Sequence, residues 1–302
     1  MKQVIYSLYI DISTDELDYQ PPFPGEKESK NDKAKRNFAE HADWLTMRQK
    51  EYAKSIGVDY FLFENDNRWK AYKEEYQTKY PFLTVYNIVN FYKIHLMYEL
   101  AKDYESILYI DLDVTPLTTE SFFDQWDLDR GITIFKNFSY VDPEENAVKK
   151  EQERFEKFGE THSIRSPAAK WWNSLAMTIE LGGQVNKNDH PVFNTGIVGI
   201  NRDYLEKLAY FDEFDDMLDL MSELKDDEYS MYPDYVKEMF GWDNETLWSV
   251  KVNLNDVKIQ WLDKKWHYFM DSQKIIPKAT KLVHTISKEF DFVREHCEKN
   301  NL

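Results

Sequence analysis

Apolar residues along this chain fall either into short continuous runs or into helically spaced stripes. The opening VIYSLYI, β-branched and aromatic, predicts a buried strand, and the polar segment from Asp11 to Lys33 that ends it carries the turn signal PPFPG. From Asn37 to Ile56 the apolar positions Phe38, Ala42, Leu45 and Tyr52 recur at helical spacing, and Gly57 stands where a helix C-cap would. VDYFLFEND predicts a second strand. A strand, a helix and a strand in that order predict a right-handed crossover in a parallel sheet.

The theme repeats more clearly in YNIVNFYKIHLMYELAKDYESILYIDLDVTPL. It predicts a helix from about Tyr86 to Lys102, then a strand ILYI that delivers Asp111 and Asp113 at its carboxyl end. Further on, GITIF predicts a strand, the highly charged stretch 142–159 a solvated helix or insertion, and Pro167 to Leu181 a helix ended by Gly182 and Gly183. The tandem Trp171 and Trp172 could stack on sugar rings, but neighbours on a helix point about 100° apart, so at least one belongs to the core. HPVFNTGIVGIN predicts a loop and a strand, and 203–225 a helix. The acidic YSMYPDYV, a helix in WDNETLWSVKV, a strand VKIQWL and a terminal strand KLVHTI follow. Strands and helices alternate through the first 115 residues and mix afterwards, which predicts an α/β chain with a parallel nucleotide-binding half joined to a second half.

Composition narrows the partners. With 42% apolar and 16% aromatic residues the chain has ample surface to bury, and 302 residues suit one large domain or two fused halves. A formal charge of −17 repels polyanions, which excludes nucleic acid and anionic membrane as main partners and requires a local cation or a metal for any anionic ligand. The lone Cys297 allows neither an internal disulfide nor a cysteine zinc site. No transmembrane run is present and the N-terminal stretch meets Asp11 too soon for a signal peptide, so a soluble, cytoplasmic protein is expected.

In open α/β sheets ligands bind beyond the carboxyl ends of the strands, where Asp111 and Asp113 fall. Two carboxylates so spaced can share one hard cation, Mn²⁺ or Mg²⁺, and leave positions open for phosphate oxygens. Three further segments stand in order behind them: FNTGIVGIN, the acid-amide-acid run of WDNETLWSVKV, and KLVHTISK. In this order the chain resembles a GT-A fold glycosyltransferase, closest in pattern to the glycogenin and bacterial galactosyltransferase family of retaining, metal-dependent enzymes. The resemblance spans roughly 1–290, with 20–35 and 140–185 unmatched.

That resemblance implies a single 1–302 GT-A domain: a Rossmann-like nucleotide-sugar half over about 1–115 with a mainly parallel mixed sheet, and an acceptor half over about 116–302 with a variable insertion near 140–190. It implies metal ligation by Asp111, Asp113 and His284, and a donor sugar lined by Asp243, Asn244 and Glu245. Tyr9, Asp11, Lys93, Leu112, Asn194, Gly196 and Lys288 take the nucleotide-sugar positions. Lys93 stands where the family has Arg, which keeps charge but loses bidentate reach; the family has Gly three and a phosphate-binding Lys six residues after its His, and here Ser287 and Lys288 depart from that pattern. The implied reaction moves a sugar from a nucleotide-sugar, UDP in preference to GDP, to a glycan or glycoconjugate hydroxyl. Two other readings stay open. ILYIDLDVT also fits haloacid-dehalogenase-like phosphatases, with Asp111 as nucleophile, Asp113 as general acid and Thr115 completing the motif. A non-catalytic carbohydrate-binding protein is the other.

Overall fold

The computed structural model describes residues 2–17, 27–136, 162–185, 190–226, 242–270 and 274–302, with backbone only at 162–169 and 226. The PPFPG turn signal, the charged stretch 142–159 and YSMYPDYV lie outside these residues. Strand β1 (Gln3–Leu8) leads to helix α1 (Lys30–Ser55), β2 (Asp59–Phe63), α2 (Asn67–Lys79), α3 (Val85–Leu100), β3 (Ser106–Ile110) and the short β4 (Val114–Pro116). Then come α4 (Phe122–Gln125), β5 (Ile132–Lys136), α5 (His162–Glu180), β6 (Phe193–Asn201), α6 (Arg202–Leu208), α7 (Phe214–Asp226) and α8 (Asn244–Leu254). The chain closes with β7 (Ile259–Trp261), β8 (Tyr268–Met270), β9 (Leu282–Thr285) and α9 (Phe290–Asn300).

Local chemistry explains where these elements depart from the apolar pattern. Helix α1 starts seven residues before the stripe predicts, because Ser29 caps it by accepting from the Asp32 N–H at 3.1 Å. At its other end Gly57 takes the left-handed φ of +73° that a side chain would resist. Helix α2 is not predicted by the pattern: it buries only Trp69 and Tyr72, and Asp66 caps it through the Arg68 and Trp69 amides. The single helix expected over 203–225 is two, α6 and α7, since Ala209 and Glu213 adopt φ of 46° and 55° and break the ladder between them.

Six strands form a sheet in the order β2-β1-β3-β6-β5-β7. β1 runs parallel to both β2 and β3, whereas β3 and β6 are antiparallel, with Ile110 opposite Ile197. The class is therefore mixed α/β, as the alternation of elements predicts. Every residue of β3 is buried, which is why its sequence is a continuous apolar run. Ile107, Leu108 and Ile110 each contribute on the order of 1.5–3 kcal/mol by burial, and this fixes the strand that aims the acids. A second sheet, β4-β9-β8, pairs β4 antiparallel and β8 parallel to β9.

The chain divides into two units, one of 1–133, 196–202 and 260–302, the other of 134–195 and 203–259. The first holds β1 to β4, α1 to α4, β8, β9 and α9. In the second, α5 packs on α7 and α8 around Leu175, Met177, Met217, Leu218, Leu247 and Trp248. Trp171 is buried there, edge-on to Trp172 at 4.9 Å, so it is the core member of the tandem pair. Among the described residues no helix is long and apolar enough to cross a membrane.

Candidate metal centre

Strand β3 ends at Ile110, and the chain turns through Asp111-Leu112-Asp113 into β4. The Asp111 amide donates to the Gly196 carbonyl at 2.8 Å, and the Val114 amide donates back to the Asp111 carbonyl at 3.0 Å. β4 then places Val114 opposite His284 on β9, and the Thr285 amide donates to the Asp113 carbonyl at 2.9 Å. Strand register thus brings an imidazole from late in the chain against two acids from its middle.

Asp111, Asp113 and His284 each offer one ligand atom within 4.8 Å of the others. His284 Nε2 lies 3.3 Å from Asp113 Oδ1 and 3.9 Å from Asp111 Oδ2. Asp113 and His284 are buried, while the Asp111 side chain keeps 30% of its surface open to solvent. Gly196 shapes the same space: a Cβ there would sit 2.5 Å from His284 Cε1 and 2.9 Å from Asp111 Oδ2. Only glycine lets the β6 backbone approach this closely.

Two lysines face the acids. Lys288 pairs with Asp113 Oδ2, its backbone held at φ +58°, its carbonyl accepting from Asn37 Nδ2 at 2.9 Å and its ammonium 5.2 Å from the Phe38 ring centre. Burial pushes the Asp113 carboxyl up, but the Lys288 ammonium and the His284 imidazole outweigh it and hold Asp113 well below the usual carboxylate range. Lys93, buried on α3, lies 4.0 Å from Asp111 Oδ1, which also accepts from the Tyr109 hydroxyl. Burial first, then the Asp111 charge, raise the Tyr109 phenol far above its ordinary value, so it remains a donor.

His267 and Tyr109 complete the cluster and were not singled out by sequence. His267 Nε2 lies 3.0 Å from His284 Nδ1 with the rings stacked, and burial, then the His284 charge, hold it neutral. Nothing local in KKWHYF marks it, since only the parallel pairing of β8 with β9 brings it near. Tyr109 had a readable signal: it stands two residues before Asp111 on a strand, hence on the same face.

The remaining candidates are placed as follows. Leu112 is buried against Leu45 and Phe290, so its side chain faces the core. Tyr9 packs in the same cluster, its ring 6.3 Å from that of Phe38, and Asp11 is exposed, paired with Lys35 at 3.1 Å and bonded through its amide to Asn65 Oδ1 at 2.8 Å. Asn194 is half-buried on β6 in the second unit. Asp243, Asn244 and Glu245 also belong to that unit, at the start of α8.

Asp243 is the α8 N-cap, its Oδ1 accepting from the Glu245 and Thr246 amides at 3.0 and 2.9 Å. Burial raises its carboxyl, only partly countered by Lys170 at 3.8 Å. Glu245 Oε1 accepts from the Thr195 amide at 2.8 Å while its Oε2 takes Lys170 at 2.5 Å, and Asn244 Nδ2 donates to Thr195 Oγ1 at 2.9 Å. The run is thus held against Thr195, which lies between Asn194 and Gly196 on β6, where the sequence predicts a loop before the strand. Lys170 gave no signal in sequence, because α5 meets α8 only through tertiary packing.

The fold and the cluster define an α/β protein with a carboxylate-imidazole centre beyond the carboxyl end of an interior strand. No protein-family model and no curated protein matches the chain. Among solved structures it is similar over 94% of its length, and 87% of the other chain, to the galactosyltransferase LgtC in complex with donor and acceptor sugar analogs, at 10% identity and a TM-score of 0.44. It is similar to mouse xyloside xylosyltransferase 1 at 11% identity and TM-score 0.43, covering 95% of this chain and 98% of that one. A glycosyltransferase involved in the glycosylation of the major capsid of PBCV-1 is similar at 14% identity and TM-score 0.40, covering 99% and 100%.

Proposed function

We propose that this chain is a divalent-metal-dependent glycosyltransferase that moves a sugar from a nucleotide-diphosphate donor, UDP in preference to GDP, to a hydroxyl of a glycan acceptor. The observation that carries this reading is the convergence of Asp111, Asp113 and His284 within 4.8 Å of one another. Two carboxylates and one imidazole form a donor set suited to Mn²⁺ or Mg²⁺, and the missing Cβ of Gly196 leaves room beside two of the three. When bound, such an ion stabilises the negative charge that gathers on a departing diphosphate, a contribution of several kcal/mol to the barrier.

The chain's own groups fit that task. Asp113 is held ionised and therefore ready to ligate. With its Nδ1 bonded to His267, the His284 ring turns Nε2 toward both acids, the outer support that a ligating imidazole needs. Lys288 and Lys93 are cations already facing this point and can serve phosphate oxygens. Tyr9 and Asp11 follow β1 and are assigned to the nucleotide, and at Leu112, whose side chain faces the core, the backbone is the part left to contribute. From their place in the motif order, Asn194 and Gly196 serve the donor, and Asp243, Asn244 and Glu245 the sugar, with retention of its configuration. The phosphatase alternative asks Asp113 to carry a proton as general acid, and its depressed carboxyl pKa argues against that role.

The test is a panel of nucleotide sugars with Mn²⁺ or EDTA. Hydrolysis or transfer from one donor, lost on chelation and in Asp113→Asn, is the expected result. Metal-independent hydrolysis of simple phosphate esters, with every nucleotide sugar untouched, would contradict it.

A further inference from the structure

Two polar side chains are buried on α1, His41 and Gln49, and Gln49 stands in the middle of the stripe. Leu45, Gln49 and Tyr52 are all buried on one face, and Gln49 is fully enclosed. A buried amide is costly unless its donors and acceptor are met. Here Gln49 Oε1 accepts from Ser7 Oγ on β1 at 2.5 Å and from the Tyr60 hydroxyl on β2 at 3.0 Å. Its Nε2 donates to the carbonyls of Asp111 at 2.9 Å and Val114 at 2.8 Å, with that of Leu112 at 3.4 Å. The orientation follows from chemistry: carbonyls only accept, so the NH₂ end must face them, while hydroxyls can donate to the other end.

Those two carbonyls bracket the turn that carries both acids. Among the described residues, the backbone ties of that turn run to β6, to β9 and within the turn itself. From the α1 side, Gln49 supplies hydrogen bonds at both ends of the turn, and its own far end is anchored to β1 and β2. We propose that Gln49 is a positioning residue that holds the Asp111–Val114 turn in the shape in which Asp111 and Asp113 meet His284, and so sets the affinity of the centre for its divalent cation. This rests on the metal reading above and adds a residue that touches neither metal nor substrate. Partners that orient ligands from outside are worth about 10- to 100-fold in metal affinity.

Gln49→Met keeps the length and apolar stem and removes all five hydrogen bonds. Tyr52→Phe is its control: on the same helix, it loses hydrogen bonds from the Tyr52 hydroxyl to the Glu120 carbonyl (2.9 Å) and from the Phe122 amide (3.0 Å), none of them to the acids' turn. Mn²⁺ binding is read from the loss of the free-ion EPR signal, alongside thermal unfolding of each metal-free protein. Expected is at least a tenfold weaker Mn²⁺ affinity in Gln49→Met, with Tyr52→Phe at parental affinity whatever its change in Tm. Parental affinity in Gln49→Met, or equal losses in both variants, overturns the positioning role and leaves the metal reading standing if Asp113→Ala has lost binding. A parent chain without a saturable Mn²⁺ site overturns both. Should Gln49→Met not fold, Tyr60→Phe decides: it removes one anchor of Oε1 and is expected to weaken Mn²⁺ binding two- to fivefold, and parental affinity there overturns the proposal.

Discussion

Asp113 is a buried carboxylate and Asp243 a half-buried one, one in each unit, and withdrawal from water pushes both upward; they nevertheless end on opposite sides of the ordinary range. The difference is in the cations. Asp113 has Lys288 paired directly to one oxygen and His284 3.3 Å from the other, and both act against burial. Among the described residues Asp243 has only Lys170 at 3.8 Å, a lysine that lies closer to Glu245, and its oxygens are otherwise spent on capping α8. Two acids that look alike in sequence are therefore prepared for different work, one to stay charged beside another acid and the other to cap the start of a helix.

The largest effect expected from breaking this contrast is on metal binding. Asp113→Ala should weaken Mn²⁺ binding by more than about 100-fold, a greater loss than an outer partner causes, while Asp243→Ala leaves it at the parental value. Calorimetric titration of both variants decides it, and equal losses would erase the distinction. Next comes Gly196→Ala, whose methyl would stand 2.5 Å from the His284 ring. A loss of about 10- to 100-fold in Mn²⁺ affinity is expected, measured beside a urea melt to separate local from global damage.

Smaller effects fall on stability. Asp243→Ala should cost about 1 kcal/mol as a lost N-cap, and Asp243→Asn much less, because the amide oxygen still caps α8. Acid titration of metal-free protein then sharpens the comparison. Asp113 is depressed below its unfolded value of 3.8, so its contribution is fully present above that pH and drains away as pH falls. Asp243 is raised above 3.8, so the folded state holds its proton more tightly and stability declines as pH climbs through that range. The stability gap between parent and Asp113→Asn should widen from pH 2 to 5, and that between parent and Asp243→Asn should shift the opposite way. Parallel slopes in denaturant midpoints would refute the assignment.

What was legible in sequence follows the same physics. β1, β3 and the placement of Asp111 and Asp113 at a strand end were readable, because a fully buried strand is a local apolar run. His284 was reachable only through the order of motifs, since its partnership depends on β4 pairing with β9 across some 170 residues of chain. α9 had a short readable stripe, Phe290, Val293 and Cys297, lost among charges. Gln49, His267 and Lys170 left no trace of their partners, because a hydrogen bond made by tertiary packing has no period. Gln49 alone offered a hint, as a polar residue inside an apolar stripe.

The most direct measurement is anomalous diffraction from crystals grown with Mn²⁺. A single strong manganese peak bonded at about 2.0–2.3 Å to Asp111, Asp113 and His284 together is the predicted result. A manganese peak elsewhere, or none at this cluster at saturating metal, would contradict the account.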